Sequence, residues 1–363
     1  MNYKLFSIYP NIIHLLVYLI LRFVNRFKGR DRDLRIIIDG PILVIDTLSG
    51  EKNNQETIFI QCKQLKDNIL KKNSRKEIEE FVLDYSIRGY LELGKKIMTK
   101  KFTQIHFLSP NMTVNIRNFG FIMSYYIYRK IKKNTTQCIL YIWDAYDVGN
   151  LIFIELFRDI NLKLVSLACD LDKVDQYGKK NLLKVFNPSL YLQDYLILSE
   201  HRSLKLREVD LRLPNMSNFT FSVSEVSEFM KYLNSKFLID ANFYNSYDQY
   251  LESLLNVKFA VVVNSLKKRS FNQINRILFK KGKYSHLVGR NFDAIRAGSL
   301  LFTQNNLEVT KIFTHRFDAI IWRDIEELKE SLDYYASNIE EANKIASEGS
   351  KTYLRLVTNI VER

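Results

Sequence analysis

From about residue 34 onward, short β-branched runs alternate with longer segments whose apolar residues recur every 3.6 positions, and nothing else in the chain constrains its fold as much. Residues 34–39 and 42–46 read as strands on either side of a Gly40-Pro41 turn, and residues 57–60 as another. Ser74 is placed to cap a helix opening Arg75-Lys76-Glu77-Ile78-Glu79-Glu80, whose acids suit a first turn. Strands are expected at 103–108, 138–143 and 162–169, with helices at 114–133 and 151–158 between them. Strand, helix, strand at this spacing implies right-handed crossovers and a parallel sheet. A polar, less regular passage follows near 201–218, and then the pattern restarts. Residues 219–223, 236–241, 257–263, 300–303 and 319–322 read as strands, and 224–234, 247–256 and 291–297 as helices. Asp324 caps a final helical region. Two consecutive α/β halves result, and ligands in such sheets bind at the carboxyl ends of the strands and in the cleft between domains.

A length of 363 residues suits two domains at about 150 residues each. The boundaries are expected at 1–30, 31–205 and 206–363. Disorder is excluded by 24 Phe and 21 Tyr, and collagen-like or low-complexity classes by only 12 Gly and 5 Pro. Cys62, Cys138 and Cys169 are too few and too scattered for a disulfide framework or a zinc knuckle, and fit a reducing compartment.

The net charge of +14 calls for an anionic partner, and its distribution narrows the choice. The first 30 residues hold Lys4, Arg22, Arg26, Lys28 and Arg30 and no acid, around an apolar run at 12–21. Even counted back to Leu5 the uncharged stretch is roughly 17 residues, against the 20 or so of a spanning helix. Residues 1–30 read as a basic amphipathic helix that lies on an anionic membrane or docks on the protein's own core, with a single short span as the third alternative. A second block, 267–296, holds nine basic residues, Arg269 and Lys283 among them, against the single acid Asp293. No RNP-like aromatic motif, zinc finger or heptad run accompanies it, so a compact phosphate group fits better than a nucleic acid.

The segment from Gly289 to Thr303 joins a loop, a short helix from Asn291, a Gly298 terminus and a buried strand. Backbone N–H groups at such a helix start suit a phosphate. Arg290 could clamp a diphosphate, and Asp293 could accept hydrogen bonds from a ribose. Plain helix capping with an exposed arginine accounts for the same spacing.

Gly289-Arg290-Asn291-Phe292-Asp293-Ala294-Ile295-Arg296-Ala297-Gly298-Ser299-Leu300-Leu301-Phe302-Thr303 resembles the R-x-F-E-A-x-A-x-G-x-L-x-x-T signature of GT-B glycosyltransferases. It is most similar to the spore-maturation glycosyltransferase-like group (glycosyl transferases group 1, C-terminal domain). Asp324-Ile325-Glu326-Glu327-Leu328 and Glu340–Gly349 resemble that group's closing pair of helices, and Ser246–Leu251 with Phe259-Ala260-Val261 its helix and strand before the donor site. The similarity runs over about residues 246–355.

The resemblance implies two Rossmann-like domains facing a cleft. Residues 31–205 would bind the acceptor and residues 206–363 a nucleotide-sugar donor. It places Asp293 on the donor ribose and Arg290 near the phosphates, beside Asn291, with His286, Lys283 and Arg269 able to neutralise charge. Two departures stand out: Asp replaces the usual Glu at 293, and Ser285 stands where the broader pattern has a second glutamate eight positions earlier.

An inverting transferase needs a general base at a strand end. Asp144 and Asp170 are the candidates, and helix capping is the alternative role for each. Asp170-Leu171-Asp172 could hold a divalent metal in a GT-A enzyme, but the two-domain context differs, and no metal or cofactor is expected. Walker, G-x-G-x-x-G and G-x-S-x-G motifs are absent from the sequence.

The expected activity is transfer of a sugar, hexose-type and metal-independent, from a nucleotide-diphosphate-sugar to a glycan, lipid-linked or protein acceptor. Envelope-glycan synthesis at the cytoplasmic face of the cell membrane would suit the basic N-terminus. The rival expectation is a non-catalytic GT-B-like scaffold that binds an anionic glycan or a nucleotide.

Overall fold

The computed structural model describes residues 40–46, 65–71, 73–83, 86–108, 120–142, 156–157, 160, 162–166, 182–186, 203–213, 223–240, 242, 244, 247–264, 287–306 and 308–361. The helix expected in 1–30 and the strands expected at 34–39 and 57–60 lie outside these residues. The chain divides into two compact units, Met1–Tyr191 and Leu192–Arg363.

In the first unit six strands form one parallel sheet: β1 (Ile42–Asp46), β2 (Ile78–Val82), β3 (Phe102–Leu108), β4 (Thr135–Ile142), β5 (Leu162–Ser166) and β6 (Leu182–Phe186). Their order is β2-β1-β3-β4-β5-β6, the doubly wound arrangement that reverses direction beside its first strand. Ile42, Leu43, Val44 and Ile45 of β1 are wholly buried, as a strand covered on both faces requires.

Helix α1 (Ile87–Thr99) is capped by Ser86, whose hydroxyl accepts the Gly89 N–H at 2.9 Å, and it buries Tyr90, Leu93 and Ile97. Helix α2 (Gly120–Asn134) packs beside it. A Cβ on Gly94 of α1 would meet the Tyr126 ring at 2.3 Å, so glycine is what lets the two helices approach.

The helix expected to open at Ser74 is not there. Residues 73–75 turn and Ile78–Val82 is the edge strand β2. The acids that suited a first helical turn are side chains of a half-exposed edge, where Glu79 meets Lys96 and Lys100, each at 2.6 Å.

The second unit has a five-stranded parallel sheet in the order β11-β10-β9-β7-β8. Its strands are β7 (Val209–Arg212), β8 (Ile239–Asp240), β9 (Val257–Val262), β10 (Leu300–Gln304) and β11 (Ile320–Trp322). The helices are α3 (Val223–Lys236), α4 (Tyr247–Leu254), α5 (Arg290–Arg296), α6 (Val309–Ile312), α7 (Ile325–Ser337) and α8 (Ile339–Val361). One core joins Leu211, Phe259, Phe302 and Trp322 of the sheet to Phe229 of α3, Leu328 and Leu332 of α7, and Ile345 of α8. Asp324 caps α7 as expected, accepting the Glu327 N–H at 2.9 Å.

Arg207, 2% exposed, clamps the amino end of this sheet. Its guanidinium donates to the carbonyls of Leu254, Val257, Ala297 and Gly298 and to the Ser299 hydroxyl, at 2.8–3.2 Å. Two of those carbonyls follow the last turn of α5, where the helix dipole favours a cation. Among the described residues no helix is long and apolar enough to cross a membrane.

Candidate functional site

Helix α5 is short because both of its ends are fixed. It follows Gly289 and stops at Gly298, whose φ of 70° is the left-handed conformation that glycine adopts at no steric cost. The Gly298 N–H donates to the Ile295 carbonyl and the Ser299 N–H to the Ala294 carbonyl, closing a Schellman turn as the sequence predicts. Asn291, Phe292, Ala294, Ile295 and Arg296 are buried, so Arg290 and Asp293 are the residues of this helix that reach solvent. They are three apart, on one face, at the carboxyl end of the sheet.

Asn291 belongs to the fold, not to the exposed face. At 0% exposure its amide donates to Asn264 Oδ1 and to the Val288 carbonyl, both at 2.8 Å, and its Oδ1 accepts from the Thr303 hydroxyl at 2.6 Å. The Asn264 amide closes the ring by donating to Thr303 Oγ1 and to the Gln304 carbonyl at 2.7 Å. This buried network ties the end of β9 to α5 and β10.

The backbone at the helix start is mostly spoken for. The N–H of Leu287 donates to Glu308 and that of Val288 to Asn264, while those of Asn291, Phe292 and Asp293 reach the carbonyls of Val288 or Gly289. The amides of Gly289 and Arg290 have no acceptor among the described residues, so the anion-binding capacity expected of this turn narrows to these two and the Arg290 side chain.

Sequence reading missed Arg212. It ends β7, and the sheet order reverses between β7 and β9, the switch point at which doubly wound sheets bind ligands. Arg212 Nη1 lies 2.7 Å from Asp240 Oδ2 at the end of β8, and its Nη2 donates to the Asn242 carbonyl at 2.9 Å. The guanidinium carbon lies 4.9 Å from the Tyr244 ring centroid and 5.5 Å from that of Tyr250. The Tyr244 hydroxyl donates to Asp240 Oδ2 at 2.7 Å.

Tyr250 on α4 links the two clusters. Burial pushes its hydroxyl pKa above the ordinary tyrosine value and the Asp293 charge adds to this, while Arg290 and Arg212 oppose it. The signal for Arg212 in the sequence was a lone arginine after the two alternating apolar residues Val209 and Leu211, too short a run to reveal a strand.

His286, Lys283 and Arg269 of the expected donor set lie outside the described residues, as do Asp144 and Asp170. His106 is a satisfied β3 residue. Its Nδ1 lies 3.0 Å from the Tyr141 hydroxyl and its Nε2 3.2 Å from Gln104 Oε1.

Residues 235–360 match the family described as glycosyl transferase-like. The matched stretch lies within the second unit. The structure is similar to that of HepE from Anabaena, solved in complex with UDP, at 9% identity and a TM-score of 0.52, covering 89% of this chain and 98% of that one. It is likewise similar to sucrose-phosphate synthase from Thermosynechococcus elongatus, at 8% identity and a TM-score of 0.53, covering 89% and 96%. At such identities the likeness concerns the fold, which is GT-B. No curated protein is significantly similar in sequence. The glycosyltransferase-like match includes β8 to β11 and the α5 face that carries Arg290 and Asp293.

Proposed function

We propose that this protein is a glycosyltransferase that moves a sugar from a nucleotide-diphosphate-sugar to an acceptor. The observation that carries the reading is the exposed pair Arg290 and Asp293 on α5, at the carboxyl end of a sheet whose switch-point strand ends in Arg212, in the unit that carries the glycosyltransferase-like match. In this reading Asp293 accepts hydrogen bonds from the donor ribose, one methylene shorter in reach than a glutamate. Arg290 and the amides of Gly289 and Arg290 meet the diphosphate, and Arg212, steadied by Asp240 and Tyr244, adds a second guanidinium.

Bond cleavage at the anomeric carbon leaves a nucleoside diphosphate with growing negative charge. Cations held in place before the reaction lower that barrier. Arg290 and Arg212 are proposed to supply that charge together with the basic residues of 267–283, so a metal-independent transfer is the form proposed. Asp144 and Asp170 are the proposed acceptor-activating carboxylates. The proposed acceptor is a glycan or lipid-linked molecule of the cell envelope, reached from the cytoplasmic face of the membrane.

HepE is described with UDP and with UDP-glucose, so UDP-sugars are the first donors to try. Thermal melting with UDP-, GDP- and CMP-sugars should show one donor raising the midpoint, and release of free nucleotide should follow on incubation. Arg290→Ala and Asp293→Ala should each abolish the rise. A flat response to every nucleotide-sugar would sink the proposal. Binding without nucleotide release would make the protein a scaffold instead of an enzyme.

A further inference from the structure

Helices α1 and α2 of the first unit follow crossovers that run in the same sense along the sheet, from β2 to β3 and from β3 to β4, so both lie on one of its faces. They touch where Tyr126 covers Gly94, and the Asn134 amide of α2 donates to the Ile97 carbonyl of α1 at 3.3 Å. Away from the sheet they expose an unusual amount of apolar surface. Ile87, Leu91 and Met98 of α1 are 53%, 49% and 46% exposed, and Ile122 and Tyr125 of α2 are 61% and 45% exposed. Spacings of four and seven put the first three on one stripe of α1, which passes beside Gly94. Ile122 lies one turn before Tyr126, so the two stripes adjoin along the seam between the helices.

The charges around this seam are predominantly basic. Helix α2 has no acidic residue, and the single acid of α1, Glu92, is held by Arg88 at 2.8 Å. Lys95, Arg129 and Lys133 are exposed and have no acidic partner among the described residues. Lys130 and Lys132 lie over the rings of Tyr126 and Tyr128.

We infer that this face of the first unit docks on an anionic lipid surface. A polyanion such as a nucleic acid would use the cations and leave five large apolar side chains in water. A lipid interface uses both, taking the apolar seam into the headgroup boundary while the long basic side chains reach the phosphates. The exposed Tyr125 suits that boundary too. The residues of this surface are other than those of the donor site and of the segment 1–30, and the inference does not depend on the transferase reading.

The test is co-sedimentation of the full chain with vesicles of phosphatidylcholine alone and of phosphatidylcholine with an equal part of phosphatidylglycerol. Two variants are compared, Lys95→Glu/Arg129→Glu/Lys133→Glu and Leu91→Ser/Ile122→Ser, with melting midpoints checked because all five positions are exposed. The parent should bind the anionic vesicles and leave the neutral ones, and each variant should lose about tenfold or more of that partition at an unchanged midpoint. Absence of anionic preference in the parent overturns the inference. So does full binding by both variants, which would place the contact elsewhere in the chain. Loss in the charge variant with full retention in the apolar one also overturns it, since the surface would then serve a polyanion.

Discussion

Neighbouring residues of α5 do different work, and substitutions can separate the two roles. Asn291→Ala leaves Asn264 and Thr303 with buried polar atoms unsatisfied, which should cost about 1–3 kcal/mol of stability in urea unfolding. Arg290→Ala, at an exposed position, should stay within about 0.5 kcal/mol of the parent yet lose the donor-induced rise in melting midpoint. Arg207→Met should lower stability by about 3 kcal/mol or more, because the buried guanidinium's bonds to four carbonyls and a hydroxyl are lost at once. Arg207→Lys should not restore it, since an ammonium has no planar fork to span those acceptors. The sequence presents Arg290, Asn291 and Asp293 as equals. The helical period separates their faces, but the partners that claim Asn291 are 12 and 27 positions away, beyond any local pattern.

Elements were legible where burial made them uniformly apolar. Strands β9, β10 and β11 appear as mostly apolar runs, interrupted by Lys258 in β9 and by Thr303 and Gln304 at the end of β10, and α7 declares itself through its Asp324 cap. Strand β7 is hidden because its sequence, Val-Asp-Leu-Arg, carries only two apolar residues, and β2 reads as a helix because its glutamates mimic a first turn. Two predictions belong at this level. Gly349 of α8 has the Asp318 carbonyl 2.8 Å from where a Cβ would stand, and Ile295 Cγ2 at 3.1 Å. Gly349→Ala should therefore lower the melting midpoint, even though alanine favours a helix by up to about 1 kcal/mol. Glu79 ties β2 to α1, and hydrogen bonds first from Lys100 and then from Lys96 hold its carboxyl below the usual glutamate value. That contribution is complete above pH 4.5 and is lost as pH falls through the lowered folded-state value. Glu79→Gln should remove this acid-side slope, at a cost near neutrality of about 0.5 kcal/mol in chemical unfolding.

At the scale of the whole molecule, binding and folding are linked. A donor present at about 100 times its dissociation constant should stabilise the chain by about 2.7 kcal/mol, and the gain should grow with the logarithm of concentration. Calorimetry across a donor titration checks this, and a midpoint insensitive to concentration would count against a folded-state site. Both sheets share the arrangement in which the earliest strand finishes inside, flanked by later ones. A ribosome therefore delivers Ile42–Asp46, four of whose side chains are wholly buried in the finished protein, well before the partners on its two sides have emerged. Until Leu108 has cleared the exit tunnel that strand has an open, greasy margin, and this is the interval in which the nascent chain most needs a chaperone.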